Sequence, residues 1–264
     1  MATGSEMAVR DWDRVARDYF GEVVSPLRSG VPAPLARALA RVPDARRKTV
    51  GDLGCGIGSL LPMLASRFRR VVGVDFSPAM LSRARTACSA ANVQLHRADL
   101  GDLSRFRTQL DVAVTVNAVL APDPTRLDGI FASIHATLRP GGILLGIFPA
   151  MEPVLYQGFL IHERERRRHS PARARSRTAA ILERARYDFV HATYADDDGA
   201  QKFFYAFELA HRLRRVGFRR LRIGRVHYSW DDIGGYERFP GEPRMWDWFV
   251  RAEARVPAPA RRSA

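Results

Sequence analysis

The chain has 264 residues, 46% hydrophobic and 27% charged, a composition typical of a globular protein whose length suits one α/β domain. Lysine and arginine number 42 against 28 acidic residues, a net charge of +14; nearly all of it is arginine, which a biased composition explains as readily as a polyanionic partner does. Two cysteines without paired spacing argue against a disulfide framework or a zinc site. No segment approaches the roughly 20 apolar residues that span a bilayer, and the first residues do not resemble a signal peptide. We therefore expect a cytoplasmic protein.

The first predicted elements are helices, because apolar residues recur at helical spacing over 7–20 and again over 33–41. From residue 49 onward, short apolar strands alternate with amphipathic helices. The strands are predicted at 49–53, 71–75, 93–96, 111–116 and 143–148, and the helices at 60–68, 78–91 and 124–138. This alternation is the pattern of a doubly wound parallel sheet.

The pattern changes between residues 150 and 201, which contain an arginine-rich run. We expect this segment to be a helical insertion over the carboxyl edge of the sheet. Its arginine run is explained equally well by a solvated helix rich in charge pairs and by a role in binding. After it, a helix is expected at 207–216, a long strand at 218–229 and a last strand at 246–250. The last strand should return antiparallel. The predicted fold class is therefore α/β, with a doubly wound, mostly parallel seven-stranded sheet.

The strongest motif lies in segment 52–58, Asp-Leu-Gly-Cys-Gly-Ile-Gly, between the first strand and its helix. Glycine lets the backbone turn sharply against a ligand, and the N–H groups of the following helix suit a carboxylate or phosphate. A dinucleotide fingerprint G-x-G-x-x-G that starts at Gly54 needs its third glycine at Ser59, so the spacing disfavours a nicotinamide oxidoreductase. Asp75 ends the second strand, where its carboxylate can accept hydrogen bonds from ribose hydroxyls.

Four segments together resemble the class I S-adenosylmethionine (SAM)-dependent methyltransferases. They are 50–58 at the glycine turn, 72–81 around the second strand, 98–100 after the third strand and 138–142 before the fifth. Each segment alone is a weak signal, but the four in this order are specific, and the likeness covers roughly 48–150. The resemblance implies a Rossmann-like methyltransferase fold with SAM as its cofactor.

The resemblance also implies roles for matched positions. The glycine turn would hold the methionine part of SAM, and Asp75 would hold the ribose. Phe76 and Met80 would lie against the adenine ring, whose amino group Asp99 would bind. The residues expected at the cofactor are Tyr19, Asp52, Gly54, Cys55, Gly56, Gly58, Asp75, Phe76, Met80, Asp99, Leu100 and Asn117.

The predicted organisation has five parts. They are N-terminal helices that cover the cofactor (1–47), the SAM-binding core (48–150), a helical insertion that forms a substrate lid (151–202), the C-terminal part of the core sheet (203–256) and a flexible tail (257–264).

The methyl acceptor is not named by any motif. Asn117 at the end of the fourth strand is not followed by the Pro-Pro-aromatic sequence of enzymes that methylate exocyclic amino groups of bases, and neither cysteine follows a proline as in cytosine-C5 enzymes. No metal is expected, and no catalytic residue is identified. Candidate acceptor-binding residues are Glu152, Tyr156, His162, Phe203 and Trp230. Taken singly, the aromatic ones are more readily explained as core residues of the lid, and Glu152 and His162 as surface residues.

Three readings of the function follow. The leading one is transfer of a methyl group to an O, N or C atom of a small molecule, without a membrane partner and with an undetermined oligomeric state. The second is an RNA or protein methyltransferase whose arginine-rich insertion holds a large anionic partner, and the third is a SAM-binding regulator without turnover. The missing base-methylation motifs disfavour nucleic acid as the acceptor.

Overall fold

The computed structural model of the protein describes residues 6–23, 25–184, 187–195, 199–230, 232 and 237–255. Its N-terminal part contains helix α1 (Val9–Val15), a 3₁₀ turn (Ala16–Asp18), α2 (Tyr19–Glu22) and α3 (Ala33–Ala40). The helix predicted over 7–20 is therefore interrupted. Asp18 is the cause, because it leaves the helical conformation and its side chain accepts the N–H of Gly21, which starts a new helix.

The central part of the chain alternates strands and helices as predicted. Its elements are β1 (Thr49–Leu53), α4 (Leu61–Arg67), β2 (Arg70–Asp75), α5 (Pro78–Ala87), β3 (Val93–Arg97), β4 (Leu110–Val116), α6 (Pro124–Thr137) and β5 (Leu138–Phe148). Two boundaries differ from the prediction by more than one residue. Helix α5 ends earlier because Cys88 is extended, and β5 begins before the Pro-Gly-Gly segment that was expected to separate it from the helix.

The insertion contains two helices, α7 (Glu152–Arg166) and α8 (Pro171–Arg184), followed by the short strands β6 (Tyr187–Asp188), β7 (Thr193–Ala195) and β8 (Ala200–Lys202). The strands form a separate antiparallel sheet in the order β6-β7-β8. The insertion is thus helical only in its first part. Its second part is rich in aromatic and β-branched side chains, which favour strands over helix.

The chain ends with α9 (Ala206–Arg215), β9 (Phe218–His227) and β10 (Trp246–Ala254). The large sheet has the order β3-β2-β1-β4-β5-β10-β9, and every neighbouring pair is parallel except the two that involve β10. The predicted seven-stranded sheet with an antiparallel last strand is confirmed. The predicted tail, 257–264, lies outside the described residues.

The central strands of the sheet are buried on both faces, which explains why β1, β2 and β4 are almost continuously apolar. On one face, the rings of Phe131, Phe148 and Phe204 meet at tilted and edge-on angles with centroids 5.5–6.1 Å apart. On the other, α3 and α4 cover the strands with leucines such as Leu35 and Leu61. Within the described residues, no helix is long and apolar enough to cross a bilayer.

Candidate active site

A cavity of about 810 Å³ lies at the carboxyl ends of β2 and β4, and its walls come from distant parts of the chain. Met7, Trp12 and Tyr19 line it from the N-terminal segment, and Ala200 and Gln201 line it from β8. A smaller cavity of about 300 Å³ at the β1–α4 turn is also lined by Tyr19. The strand order reverses beside β1, and in open α/β sheets ligands bind at such a position.

The structure brings most of the predicted cofactor residues together. Those that line one or both cavities are Tyr19, Asp52, Gly54, Cys55, Gly56, Asp75, Phe76, Met80, Asp99, Leu100 and Asn117. Gly58 lies behind them, with φ +86°, and a Cβ atom there would stand 2.9 Å from Cα of Ala84. This glycine therefore allows the turn to pack against α5. The ligand roles of the others stay predictions.

The glycine turn is shaped by contacts with the neighbouring strands. The N–H groups of Gly54 and Cys55 both donate to the carbonyl oxygen of Val74, at 2.8 and 2.9 Å. Gly54 has φ +78°, and a Cβ atom there would lie 2.2 Å from Cβ of Ala118. Only glycine therefore lets the turn approach the end of β4 so closely. Gly56, with φ +51°, has no neighbouring atom within 4 Å of a Cβ position and faces open space.

Two buried carboxylates stand on either side of this turn. Asp75 accepts the N–H of Gly56 at 2.8 Å and that of Ser77 at 3.0 Å. Asp52 is 2% exposed, and its Oδ2 atom has no hydrogen-bond partner among the described residues. Burial, followed by the negative charge of Asp75, raises the pKa of Asp52 to about 7, and burial also raises the pKa of Asp75. This part of the site therefore favours a ligand that carries positive charge.

The far wall of the larger cavity combines apolar and charged side chains. Phe76 and Met80 line it beside Asp99. Asp99 accepts a hydrogen bond from Gly101 N–H at 2.6 Å and pairs with the guanidinium group of Arg126 at 2.9 Å. Arg126 pairs with Glu6 as well, so the N-terminal segment is tied to this wall of the cavity.

The N-terminal helices are also held onto α5. Asp13 of α1 accepts hydrogen bonds from the hydroxyl group of Ser77 at 2.5 Å and from Ala79 N–H at 3.2 Å. Arg83 donates to the carbonyl oxygen of Ala16 and, at 3.1 Å, to that of Arg17. These contacts hold α1 beside the cavity, which Trp12 of this helix lines; that the N-terminal helices cover a cofactor stays a prediction.

At the end of β4, Asn117 joins the cavity to β10. Its backbone has φ +46°, which asparagine tolerates better than most residues. Its Nδ2 donates at 2.8 Å to Asp247, a residue only 7% exposed. Asp247 also accepts the N–H of Ala150 at 3.2 Å and the hydroxyl group of Tyr228. Burial raises the pKa of Asp247 to about 6, although these three hydrogen bonds oppose the shift.

The predicted acceptor residues Glu152 and Phe203 have contacts within the protein. Glu152 accepts the N–H of Ala206 and the indole N–H of Trp248, both at 3.0 Å, so each carboxylate oxygen has a donor. Phe203 packs edge-on against Tyr187 with the ring centroids 6.0 Å apart. Neither residue lines the two cavities, and their predicted acceptor roles stay predictions.

The other three predicted acceptor residues also lie outside the lining of the two cavities. His162 contacts the hydroxyl group of Thr178 at 3.2 Å, and Trp230 donates its indole N–H to the carbonyl oxygen of Glu242 at 3.1 Å. Tyr156 packs 6.2 Å from Trp246, and its hydroxyl group is buried without a partner among the described residues. Tyr156 thus joins the insertion to β10, whereas the contact of His162 lies within the insertion and that of Trp230 within the β9–β10 connection.

Glu6, Arg126 and Asp247 belong to the site but were not found from the sequence. Nothing distinguishes Arg126 from the many other arginines, and Glu6 meets it only through the tertiary fold. Asp247 did carry a signal, because it stands between two tryptophans in a predicted buried strand. An acidic residue in such a position is buried only when it is paired or hydrogen-bonded.

Comparison with known proteins agrees with this architecture. Residues 50–142 match the family model described as a methyltransferase domain. The chain is 38% identical over 117 residues to trans-aconitate 2-methyltransferase of Variovorax paradoxus, covering 42% of each chain. It is 36% identical over 122 residues to the enzyme of that name from Deinococcus radiodurans, covering 45% of this chain and 44% of the relative. The chain thus matches less than half the length of these relatives.

Among solved structures, the DhpI–SAH complex superimposes with a TM-score of 0.60. The match covers 95% of this chain and 96% of that one at 17% sequence identity, and it shows a common fold. The resemblance to methyltransferases found in segments 50–58, 72–81, 98–100 and 138–142 is therefore confirmed by the match over residues 50–142, and the likeness of nearly the whole chain to the solved structure is one of fold.

Proposed function

We propose that this chain, whose residues 50–142 form a class I SAM-dependent methyltransferase domain, transfers a methyl group to the carboxylate of a small organic acid. The observation that carries the proposal is the make-up of the larger cavity. It is covered by the N-terminal segment and β8, and its lining is mostly apolar with a few charged side chains, among them Arg126, as is typical of small-molecule sites.

The cofactor fits the residues of the site. SAM carries an ammonium group and a sulfonium group, and the unpaired Oδ2 of Asp52 offers a buried acceptor beside the carboxylate of Asp75. We assign the ribose to Asp75 and the adenine ring to the wall formed by Phe76 and Met80. When bound, SAM supplies a methyl group already activated for transfer, so the protein has mainly to align the acceptor and exclude water.

The acceptor chemistry follows from the residues that face it. No histidine or lysine is among the described residues that line either cavity, and Asp99 is paired with Arg126. The site therefore favours an acceptor that is nucleophilic at neutral pH without losing a proton, and a carboxylate meets that condition. The net charge of +14 attracts an anion, although Arg126 itself is paired with Asp99 and Glu6. The names of the two relatives support the same chemical class.

The arginine-rich insertion gives less support to an RNA or protein acceptor. Arg164, Arg166 and Arg177 form ion pairs with Glu165, Glu163 and Glu165, respectively, so part of its positive charge is neutralised within the lid. A regulator that binds SAM without turnover remains the alternative of another class, since a cofactor site does not by itself imply catalysis.

The first experiment separates cofactor binding from acceptor choice. Calorimetric titration with SAM, S-adenosylhomocysteine (SAH) and NAD should show micromolar binding of the two adenosyl ligands and none of NAD. Asp75→Asn should weaken SAH binding by about 100-fold. Asp111→Asn is a matched control, because Asp111 accepts hydrogen bonds from Thr49 N–H and Arg139, away from both cavities. Binding of NAD alone would refute the cofactor assignment.

The second experiment measures SAH formation with trans-aconitate and other small di- and tricarboxylic acids, each beside its amide. We expect turnover with at least one acid and none with its amide, because an amide is a poor nucleophile. Turnover with a purified RNA and with none of the acids would support the large-acceptor reading. Tight SAH binding without turnover on any acceptor would favour the regulator.

A further inference from the structure

The side-chain amide of Asn117 has two unlike ends, a donating NH₂ group and an accepting oxygen atom. An ionised carboxylate accepts hydrogen bonds and cannot donate them. Asp247 therefore engages the NH₂ end of the amide, and the raised pKa of about 6 still leaves its carboxylate largely ionised at neutral pH. The amide oxygen Oδ1 must consequently point away from Asp247.

That oxygen accepts no hydrogen bond from the described residues of the protein. Asn117 lines the larger cavity between Val116 and Ala118, and its Oδ1 atom is buried without a hydrogen-bond partner among the described residues. A buried acceptor that stays unpaired is unfavourable, because it has lost its hydrogen bonds to water without gaining others. A ligand in the cavity that presents an N–H or O–H group to this oxygen would satisfy it.

We propose that Asp247 is a positioning residue that, with Tyr228 and the N–H of Ala150, holds Oδ1 of Asn117 toward the cavity as the acceptor for an N–H or O–H group of the bound ligand. Asp247 itself does not line the cavity. The inference deepens the proposed function and rests on it for the ligand, since SAM and SAH offer an ammonium group and ribose hydroxyl groups as donors.

The network explains why three donors converge on one carboxylate. The hydroxyl group of Tyr228, just after β9, and the N–H of Ala150, just after β5, both donate to the carboxylate of Asp247. They fix its orientation, so its oxygens present the same acceptor to the amide of Asn117. An asparagine at position 247 has the same shape but can both donate and accept. It would allow the amide of Asn117 to rotate by half a turn and present NH₂ to the ligand.

The test uses four variants of the full chain: Asn117→Gly, Asp247→Asn, their combination, and Tyr228→Phe. Glycine is chosen at position 117 because it tolerates φ +46° while removing the amide. Two controls remove comparable hydrogen bonds away from the cavities. Asp111→Asn alters a carboxylate of β4, and Tyr205→Phe removes a hydroxyl group that donates to the carbonyl oxygen of Phe189.

Calorimetry with SAH should show about 10-fold weaker binding for Asn117→Gly and a similar loss for Asp247→Asn. Tyr228→Phe should weaken binding about 3-fold, and the controls should not change it. The combined variant should bind no more weakly than Asn117→Gly alone, because Asp247 acts through the amide. If Asp247 had a purely structural role, the fold-losses in affinity of the two single variants would multiply in the combined variant.

A second probe identifies the donor. 5′-Methylthioadenosine has the ribose of SAH but lacks its amino-acid part. If Asn117→Gly weakens SAH alone, the ammonium group is the donor; if it weakens both ligands equally, the nucleoside supplies the donor. Unchanged affinity of both ligands in Asn117→Gly would overturn the proposal while leaving the proposed function intact.

The geometry is also tested without any ligand. In the NMR spectrum of ¹⁵N-labelled protein, the amide protons of Asn117 should be shifted downfield by the carboxylate, and Asp247→Asn should abolish that shift while the Asp111→Asn control leaves it in place. If the Asn117 amide resonances of the Asp247→Asn variant match those of the wild-type protein, the proposal is wrong. This outcome does not depend on whether the wild-type protein binds SAH.

Discussion

The glycine turn and the lid hairpin, here α7 with α8, hold their shapes by different forces. The turn is held by hydrogen bonds from its backbone N–H groups and by close packing of its backbone, and there is no room for a side chain at Gly54 or Gly58. The lid hairpin is held by ion pairs, because the side chain of Glu165, only 4% exposed, pairs with Arg164 and Arg177. Added volume should therefore damage the turn, whereas removed charge should damage the lid hairpin.

The largest effect is expected from added volume in the turn. Gly58→Ala places a methyl group 2.9 Å from the backbone of Ala84 at φ +86°, so both overpacking and backbone strain apply, and the free energy of unfolding should fall by about 3–5 kcal/mol. Gly56→Ala is the control, because it is strained at φ +51° but meets no atom within 4 Å, and it should cost about 1 kcal/mol. Urea denaturation measures both; equal losses would show that contact with α5 is unimportant.

The next effect concerns the pH dependence of the same region. Because the pKa of Asp52 is raised to about 7 in the folded protein, its contribution to stability is fully present below pH 4 and is lost as the pH rises through 7. The wild-type protein should therefore lose stability between pH 5 and pH 8 relative to Asp52→Asn, by an amount on the order of 3 kcal/mol. Thermal melts of the ligand-free proteins across this range measure the difference, and parallel curves would contradict it.

Removing charge from the lid hairpin should have a local effect. Glu165→Gln leaves the guanidinium groups of Arg164 and Arg177 without their shared carboxylate, at a cost of about 1–3 kcal/mol. Hydrogen exchange of α8 amides should accelerate at least 5-fold while β1 and β4 amides stay protected. Glu163→Gln, which breaks the exposed pair with Arg166, is the matched control and should change little. Faster exchange in β4 would mean that the lid and the core unfold together.

The smallest effect is expected from exposed charge. Arg168 and Arg173 are exposed on the lid hairpin, and replacing either with glutamine should change the free energy of unfolding by less than about 0.5 kcal/mol. Chemical denaturation of the two single variants checks this expectation. A loss above about 1 kcal/mol would show that surface arginines of the insertion, and not only those paired with Glu165, support the lid hairpin.

The cofactor side of the site was accessible from the sequence because its residues are local to strand ends. Asp52, Gly54 and Asp75 lie where buried strands stop, and the carboxyl ends of parallel strands share one edge of the sheet. The rest of the site was not accessible in the same way. Arg126 and Glu6 line the cavity from α6 and the N-terminal segment, Asp247 of β10 contacts it only through Asn117, and no short-range pattern relates these three residues.

The sequence by itself determined the alternation of strands and helices, the seven-stranded sheet and the position of the glycine turn, because periodic burial and glycine geometry act over a few neighbouring residues. Only the tertiary structure decided that the insertion ends in a small sheet, that Glu152 is tied to α9 and β10, and that Asp247 lies beside Asn117. Asn117 and Asp247 are 130 positions apart in the chain. Their contact depends on β10 inserting between β5 and β9, which is a property of the assembled sheet.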